Sequence, residues 1–469
     1  MAHSLLREVF ALAQFVGALS RHPARVSFTW YAAGLALGAV LLAQPFARVP
    51  NVEPIDTIDA VFTATSAICV TGLGVRSTGH DFSWLGQIVI LLLVQLGGIG
   101  IITVTTFVTL RLGGHQSLHN RTLLAQTLGT ENEPNLLTVL HRVVRFTAIF
   151  EVVGALVLSA RFWGDFAPLD ALWHGAFHSI SAFCNAGFSL NDNSLMAYER
   201  DWIVNLTVMV LIIVGGIGYP VMTDVARVWR RDPGDRWDNL LLHTKLMIVG
   251  TAALIAIGTT AVLVLEWDHS LSNLSIPSKI LAATFQSVTS RTAGFNTLDT
   301  ANLRDATLFV VILLMFIGAG PCSAAGGFKV STLVILVLRA WTTFRGGSRV
   351  LVARRTIPEV VVSRAITTVL LFAAVAILGL IALLTVEQFE HSDAVTGELF
   401  LDACFETASA LGTVGLSTGI TPELTVAGKV IIIMLMFIGR LGPITVAAAV
   451  SLAAKKQPIQ YASEEPLVG

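Results

Sequence analysis

Phe62-Thr-Ala-Thr-Ser-Ala-Ile-Cys-Val-Thr-Gly72 decides how the chain is read. It is amphipathic, rich in Ser and Thr, and too short and too polar to cross a bilayer. Three further stretches share its pattern: Phe177-His-Ser-Ile-Ser-Ala-Phe-Cys-Asn-Ala-Gly187, Thr284-Phe-Gln-Ser-Val-Thr-Ser-Arg-Thr-Ala-Gly294 and Phe405-Glu-Thr-Ala-Ser-Ala-Leu-Gly-Thr-Val-Gly415. A second glycine follows each closing glycine at near-constant distance: Gly97 after Gly72, Gly215 after Gly187, Gly318 after Gly294 and Gly439 after Gly415, at spacings of 25, 28, 24 and 24 residues. One Gly-Gly-x-Gly carries little information. Two matched landmarks repeated four times are the mark of an internal repeat.

The surroundings of these stretches fix the class. Of 469 residues 54% are hydrophobic and 13% charged, against roughly 25% charged in a soluble domain. The apolar residues fall in blocks at 28–44, 85–110, 202–222, 246–265, 306–318, 366–386 and 430–453, several of them long enough for a bilayer core. Twenty of the 30 Lys and Arg lie in 1–25, 111–145, 227–245, 339–364 and 455–456, alternating with acidic segments. The positive-inside rule puts the basic set in the cytoplasm, with both termini, so the number of crossings is even. Net charge is −1, which gives no field for nucleic acid. Cys69, Cys184, Cys322 and Cys404 are scattered without a CxxC pair, so no disulfide framework is expected. No signal-peptide cleavage pattern opens the chain.

These features predict an all-α integral membrane protein of eight transmembrane helices. The unit is outer helix, re-entrant half-helix, extended loop and inner helix, in four pseudo-fourfold copies around a central pore. The expected bounds are 26–110, 138–228, 239–340 and 358–453, between cytoplasmic segments 1–25 and 454–469. Outer helices fall near 26–46, 138–160, 242–265 and 364–386, inner helices near 84–110, 202–228, 303–340 and 425–453. Non-helical backbone at membrane depth is tolerated where it is buried or lines a wet cavity, so four such loops should meet on one axis.

A ring of backbone carbonyls replaces a cation's hydration shell without fixed charge, and half-helix C-termini facing the cavity favour positive ions. The ring residues are Cys69, Val70, Thr71 and Gly72; Cys184, Asn185, Ala186 and Gly187; Arg291, Thr292, Ala293 and Gly294; and Gly412, Thr413, Val414 and Gly415. Arg291 stands where a free positive charge would repel the ion, so its side chain is expected behind the ring, paired with Glu406. The segment Gly318, Ala319, Gly320, Pro321, Cys322, Ser323, Ala324, Ala325, Gly326 and Gly327 breaks the third inner helix, because Pro321 removes a donor and the glycines weaken helix. The other three inner helices are expected to run on unbroken. Arg440, one residue past its shared glycine, is expected in the pore, donating to freed carbonyls of the break. Lys329 is expected on the cytoplasmic side of a gate or snorkelling to the inner surface.

The loop glycines, Gly215-Gly-Ile-Gly-Tyr-Pro220, the run from Gly318 to Lys329 and Gly439-Arg-Leu-Gly-Pro443 together resemble the Trk/Ktr/HKT superfamily of potassium transporters, over about 25–455. The likeness is greatest to its Ktr-type membrane subunit, since two further helices precede the first repeat in the Trk type. Residues 319–325 depart from it, being less rich in glycine and serine. The resemblance implies potassium ions at the filter, potassium uptake across the cytoplasmic (inner) membrane of a bacterium, and a gating loop at 318–327. It further implies a homodimer embedded in membrane lipid, a cytoplasmic nucleotide-binding regulatory ring subunit and stimulation by sodium ion. A proton- or sodium-coupled cation symporter of the same architecture is the alternative, with Glu151 and Asp224 as candidate coupling carboxylates. A membrane enzyme is disfavoured. No Ser/His/Asp set gathers at one depth, His174-x-x-x-His178 lacks a third ligand, and no P-loop is present. Trp173, His174 and His178 are read as packing and outer-vestibule residues.

Overall fold

The computed structural model describes residues 23–50, 52–98, 136–229, 236–321, 323–352, 355–390 and 396–442. The tails at 1–22 and 443–469, residues 99–110 of the first expected inner helix, and Cys322 lie outside the described residues.

Four long helices, Pro23–Leu42, Leu136–Phe162, Leu242–Glu266 and Glu359–Glu390, are each followed by a short one. The short helices are Thr57–Ile68, Pro168–Phe183, Ile276–Thr289 and Thr396–Gly412. Each then gives way to a loop and an inner helix, starting at Trp84, Trp202, Asp305 and Val426. A two-residue antiparallel pair, Leu351–Val352 with Arg355–Thr356, connects the third set to the fourth. Among the described residues three helices are long and apolar enough to cross a membrane alone: His141–Phe162, Leu242–Glu266 and Glu359–Gln388, of mean hydropathy 1.9, 2.3 and 3.0. Leu156, Ile257 and Leu378 on these helices stand exposed, as a lipid-facing surface requires. The interior holds the short helices, whose Phe62, Phe177, Phe285 and Phe405 are fully buried.

One expectation about the inner helices is corrected. The third is broken, as expected, between Asp305–Phe316 and Val330–Phe344. The second does not run on: Trp202–Ile217 and Tyr219–Trp229 meet at 99°, hinged on Gly218 at φ 96°. Pro220 supplies no N–H to the carbonyl of Gly216, so the helical ladder fails there. The fourth is helical from Val426 to Leu441, with Gly442 at φ 79°, and its expected continuation to 453 lies outside the described residues.

Long-helix carboxylates close the starts of two inner helices. Glu266, fully buried, accepts from Arg304 N at 3.0 Å and Thr307 Oγ1 at 2.5 Å. Glu387 accepts from Thr425 N at 3.2 Å and Thr425 Oγ1 at 2.8 Å. In the second set Asp201 caps Ile203 N and Val204 N, and Arg161 of the preceding long helix holds Asp201. These groups satisfy donors that a helix start leaves free. Glu266→Ala and Glu387→Ala should each lower stability by about 1–3 kcal/mol, since buried donors lose their acceptor; thermal unfolding in detergent reads the loss.

Candidate functional site: a ring of four loops and the segment beneath it

The four loops converge. Gly72, Gly187, Gly294 and Gly415 line one cavity of about 430 Å³, together with Arg76, Asp81, Asn191, Asp192 and Asn296. The glycines stand edge to edge. A methyl group on Gly72 would strike the carbonyl of Ala186, one on Gly187 that of Ala293, one on Gly294 that of Val414 and one on Gly415 that of Thr71. The chain of contacts therefore closes on itself in sequence order. The glycines take φ of 93°, 71°, 76° and 91°, a region L side chains avoid.

The residue two before each glycine is also left-handed: Val70 at 58°, Asn185 at 57°, Thr292 at 71° and Thr413 at 49°. Three of the four are β-branched, for which this region costs of order 1–3 kcal/mol. Only Asn185 belongs to a residue type that favours this region. A hydroxyl on the short helix holds each loop in this shape. Ser66 Oγ and Ser409 Oγ accept from Gly72 N and Gly415 N at 3.0 and 3.1 Å. Ser181 Oγ and Thr289 Oγ1 donate to the carbonyls of Phe188 and Phe295, both at 2.8 Å. Each of these hydroxyl residues lies four after its buried phenylalanine, a signal that was present in the sequence.

That register corrects the alignment of the third stretch. Thr284 does not match Phe62; Phe285 does, and only five residues separate Thr289 from Gly294 where six separate Ser66 from Gly72, Ser181 from Gly187 and Ser409 from Gly415. The third loop is one residue tighter, and Ala293 N bonds Thr289 O across four residues where the other loops bond across five. Arg291 still stands three before its glycine and directly before the left-handed Thr292, as Cys69, Cys184 and Gly412 stand in their loops, so the missing residue falls between Thr289 and Arg291. Arg291 is buried, and its Nε has no hydrogen-bond partner among the described residues. The expected Arg291–Glu406 pair does not form: Glu406 accepts from Ser417 Oγ and, at 2.9 Å, from Thr421 Oγ1, securing the chain beyond the fourth glycine. His178 does the same in the second set, joining His174 O at 2.7 Å to Ser189 Oγ at 2.9 Å. Trp173 packs through Nε1 to Gln87 Oε1 at 2.7 Å.

At the vestibule, Asp59 is buried between Arg76 at 2.8 Å and Lys429 at 3.0 Å. Its hydrogen bond raises the pKa of Arg76, which stays charged at the cavity wall. Of the two intramembrane acids, Asp224 meets Arg227 at 2.5 Å and Leu241 N at 2.8 Å. Glu151 accepts from Gln95 Nε2 at 3.0 Å, and Cys184 Sγ, on the second loop, lies 3.9 Å from its other oxygen.

Beneath the ring, residues 317–329 are not helical among the described positions. Gly97, Gly215 and Gly439 let their helices close on the carbonyls of Ile68, Phe183 and Leu411, at the ends of their own short helices. Gly318 instead backs onto the carbonyl of Gly326, and Gly326 onto Thr413 of the fourth loop. Gly320 N donates at 2.8 Å to the carbonyl of Gly216, the one Pro220 leaves free, and Ala324 N at 3.3 Å to that of Gly215. Arg440 Nη1 donates to Ala324 O and Nη2 to Gly97 O. Lys329 Nζ donates to Ala325 O at 2.8 Å and Gly326 O at 3.3 Å. Two cations thus take three successive carbonyls of this segment. The sequence pointed to Arg440, but not to the broken second helix as the other tether.

Comparison with known proteins follows the same lines. Residues 41–458 match the family model TrkH, described as a cation transport protein. The chain is 39% identical to the Ktr system potassium uptake protein B of Bacillus subtilis, over 92% of this chain and 94% of that one. It is 34% identical to the potassium/sodium uptake protein NtpJ of Enterococcus hirae, over 90% and 92%. Its fold matches the crystal structure of the potassium transporter TrkH from Vibrio parahaemolyticus with a TM-score of 0.69 at 20% identity, over 90% of this chain and 83% of that one. The chain belongs to the TrkH family of cation transport proteins, which are membrane transporters and not enzymes.

Proposed function

We propose that the chain carries potassium into a bacterial cell through the ring of four loops. The observation that carries this reading is the closed circle of Gly72, Gly187, Gly294 and Gly415 around one cavity. On this reading the four sets are copies of one helix–pore-loop–helix unit with eight crossings, within 26–110, 138–228, 239–340 and 358–453. Both termini are cytoplasmic. The carbonyls of residues 69–72, 184–187, 291–294 and 412–415 dehydrate the ion. Segment 318–327, held by Arg440 and Lys329, is an intramembrane gate below them. The names of the relatives support potassium as the ion, and that of the Enterococcus protein supports a part for sodium. Membership of a named uptake system supports a regulatory partner, proposed here as a cytoplasmic nucleotide-binding ring on a homodimer.

Potassium uptake by a potassium-transport-deficient bacterium expressing the chain, with and without external sodium, tests the whole reading; no growth on low potassium in either condition refutes it. Gly72→Ser, Gly294→Ser and Gly415→Ser should weaken potassium affinity or sodium discrimination more than abundance. Gly187→Ser should do so least, because its added carbon would meet the Ala293 carbonyl at 2.9 Å where the others meet theirs more closely. Untouched affinity and discrimination in all four sinks the filter. Deleting 319–325 should raise flux, and Arg440→Ala should raise it less; a deletion variant that inserts, binds its partner and conducts no faster than the parent rules out the gate alone.

A proton-coupled symporter has one observation in its favour. Glu151 is buried against the second loop with an amide and a thiol as its polar side-chain partners. If it carries the proton, Glu151→Gln abolishes pH-dependent uptake; if uptake and its pH dependence survive, the channel-like reading stands.

A further inference from the structure

Tyr31 lies on the first long helix, 409 residues from Arg440 in sequence, and is 1% exposed. Its hydroxyl makes two bonds of opposite sense. It donates to the carbonyl of Gly97 at 3.3 Å and accepts from Arg440 Nε at 3.3 Å. Arg440 Nη2 donates to the same Gly97 carbonyl, so the three groups close a triangle, and Nη1 is left to hold Ala324 O. The side-chain requirement is narrow. A phenol combines an apolar body suited to a buried site with one donor and one acceptor at its tip. Phenylalanine fills the same space and can do neither.

We propose that Tyr31 is the positioning residue of the gate: it fixes the guanidinium of Arg440 so that one of its nitrogens always faces the carbonyl of Ala324. The inference rests on the reading of 318–327 as a gate and deepens it. An arginine side chain has several rotatable bonds, and holding it in one geometry costs conformational entropy. Two fixed acceptors on one edge of the guanidinium, the Tyr31 oxygen and the Gly97 carbonyl, reduce that freedom before the loop is engaged. Without the hydroxyl, Nε loses its acceptor, the guanidinium can turn about Nη2, and Ala324 O loses its donor for part of the time. Segment 318–327 then leaves the pore more often. The filter is untouched, because neither Tyr31 nor its partners supply a ring carbonyl.

The test uses purified full-length protein in liposomes, with potassium flux measured without any partner subunit. Tyr31→Phe is compared with Arg440→Ala, Arg440→Lys, the double variant Tyr31→Phe/Arg440→Ala, and the 319–325 deletion. Tyr31→Phe should raise flux by roughly three- to tenfold, the size expected when one ordinary hydrogen bond is lost. The double variant should conduct no faster than Arg440→Ala, since both changes release the same contact. Arg440→Lys should resemble Arg440→Ala, because an ammonium lacks the planar fork that reaches Tyr31, Gly97 and Ala324 together. Potassium preference over sodium should stay at the parent value in Tyr31→Phe. Parent-level flux in Tyr31→Phe, with raised flux in Arg440→Ala, overturns the role of Tyr31 and leaves the gate in place. Additive effects in the double variant, or a shifted ion preference in Tyr31→Phe, also overturn it. If Arg440→Ala and the deletion both leave flux unchanged, the gate itself falls and Tyr31 with it.

Discussion

A backbone carbonyl inside a bilayer has no water to turn to, and an unmet one costs several kcal/mol. That constraint shapes this protein more than its apolar surplus does. At several points where the described chain leaves helix, a specific donor or acceptor waits. Hydroxyls on the short helices meet the loops, and Glu266 and Glu387 meet the starts of two inner helices. The break in the second inner helix and the break in the third answer each other, as Gly215 and Gly216 offer carbonyls and Ala324 and Gly320 offer N–H groups. Two helix breaks that would each be costly alone are tolerated as a pair.

The carbonyls of Ala324, Ala325 and Gly326 show the same logic with charge. They accept from Arg440 and Lys329, and a charged donor strengthens each bond where the dielectric is low. The cations gain as well, since an unsolvated guanidinium or ammonium at this depth needs several acceptors. Moving Lys329 releases two neighbouring carbonyls together, and moving Arg440 releases the third.

Much of this was legible in the residues. The repeat, the loop glycines, the break at 318–327 and the contact of Arg440 with it follow from glycine spacing, proline chemistry and the scarcity of charge in apolar segments. Other features were not. The bend at Gly218 hides in a run that reads as continuous apolar helix, because its cause is one absent N–H at Pro220 and its stabilisation comes from a segment about a hundred residues away. The left-handed backbone at Val70, Thr292 and Thr413 has no compositional sign, since tertiary contacts enforce it against the preference of the residue. Arg291 and Glu406 seemed natural partners because both are charged and close to a loop glycine in sequence. Glu406 instead has the hydroxyls of Ser417 and Thr421, just beyond its own loop, as partners. The one-residue offset of the third stretch was concealed by matching its final glycine, and the buried phenylalanines would have exposed it.

The shorter third loop has a consequence for how such a ring can evolve. In an assembly of four identical chains, a deletion beside the pore is imposed four times and alters every quadrant together. Here the quadrants are separately encoded, so a single deletion between Thr289 and Gly294 changes one side of the ring and leaves three at their former length. Each quarter can be adjusted in small steps while its neighbours keep their geometry. The retained strain at the four left-handed positions then acts as a common template that individual loops are free to approach by different routes.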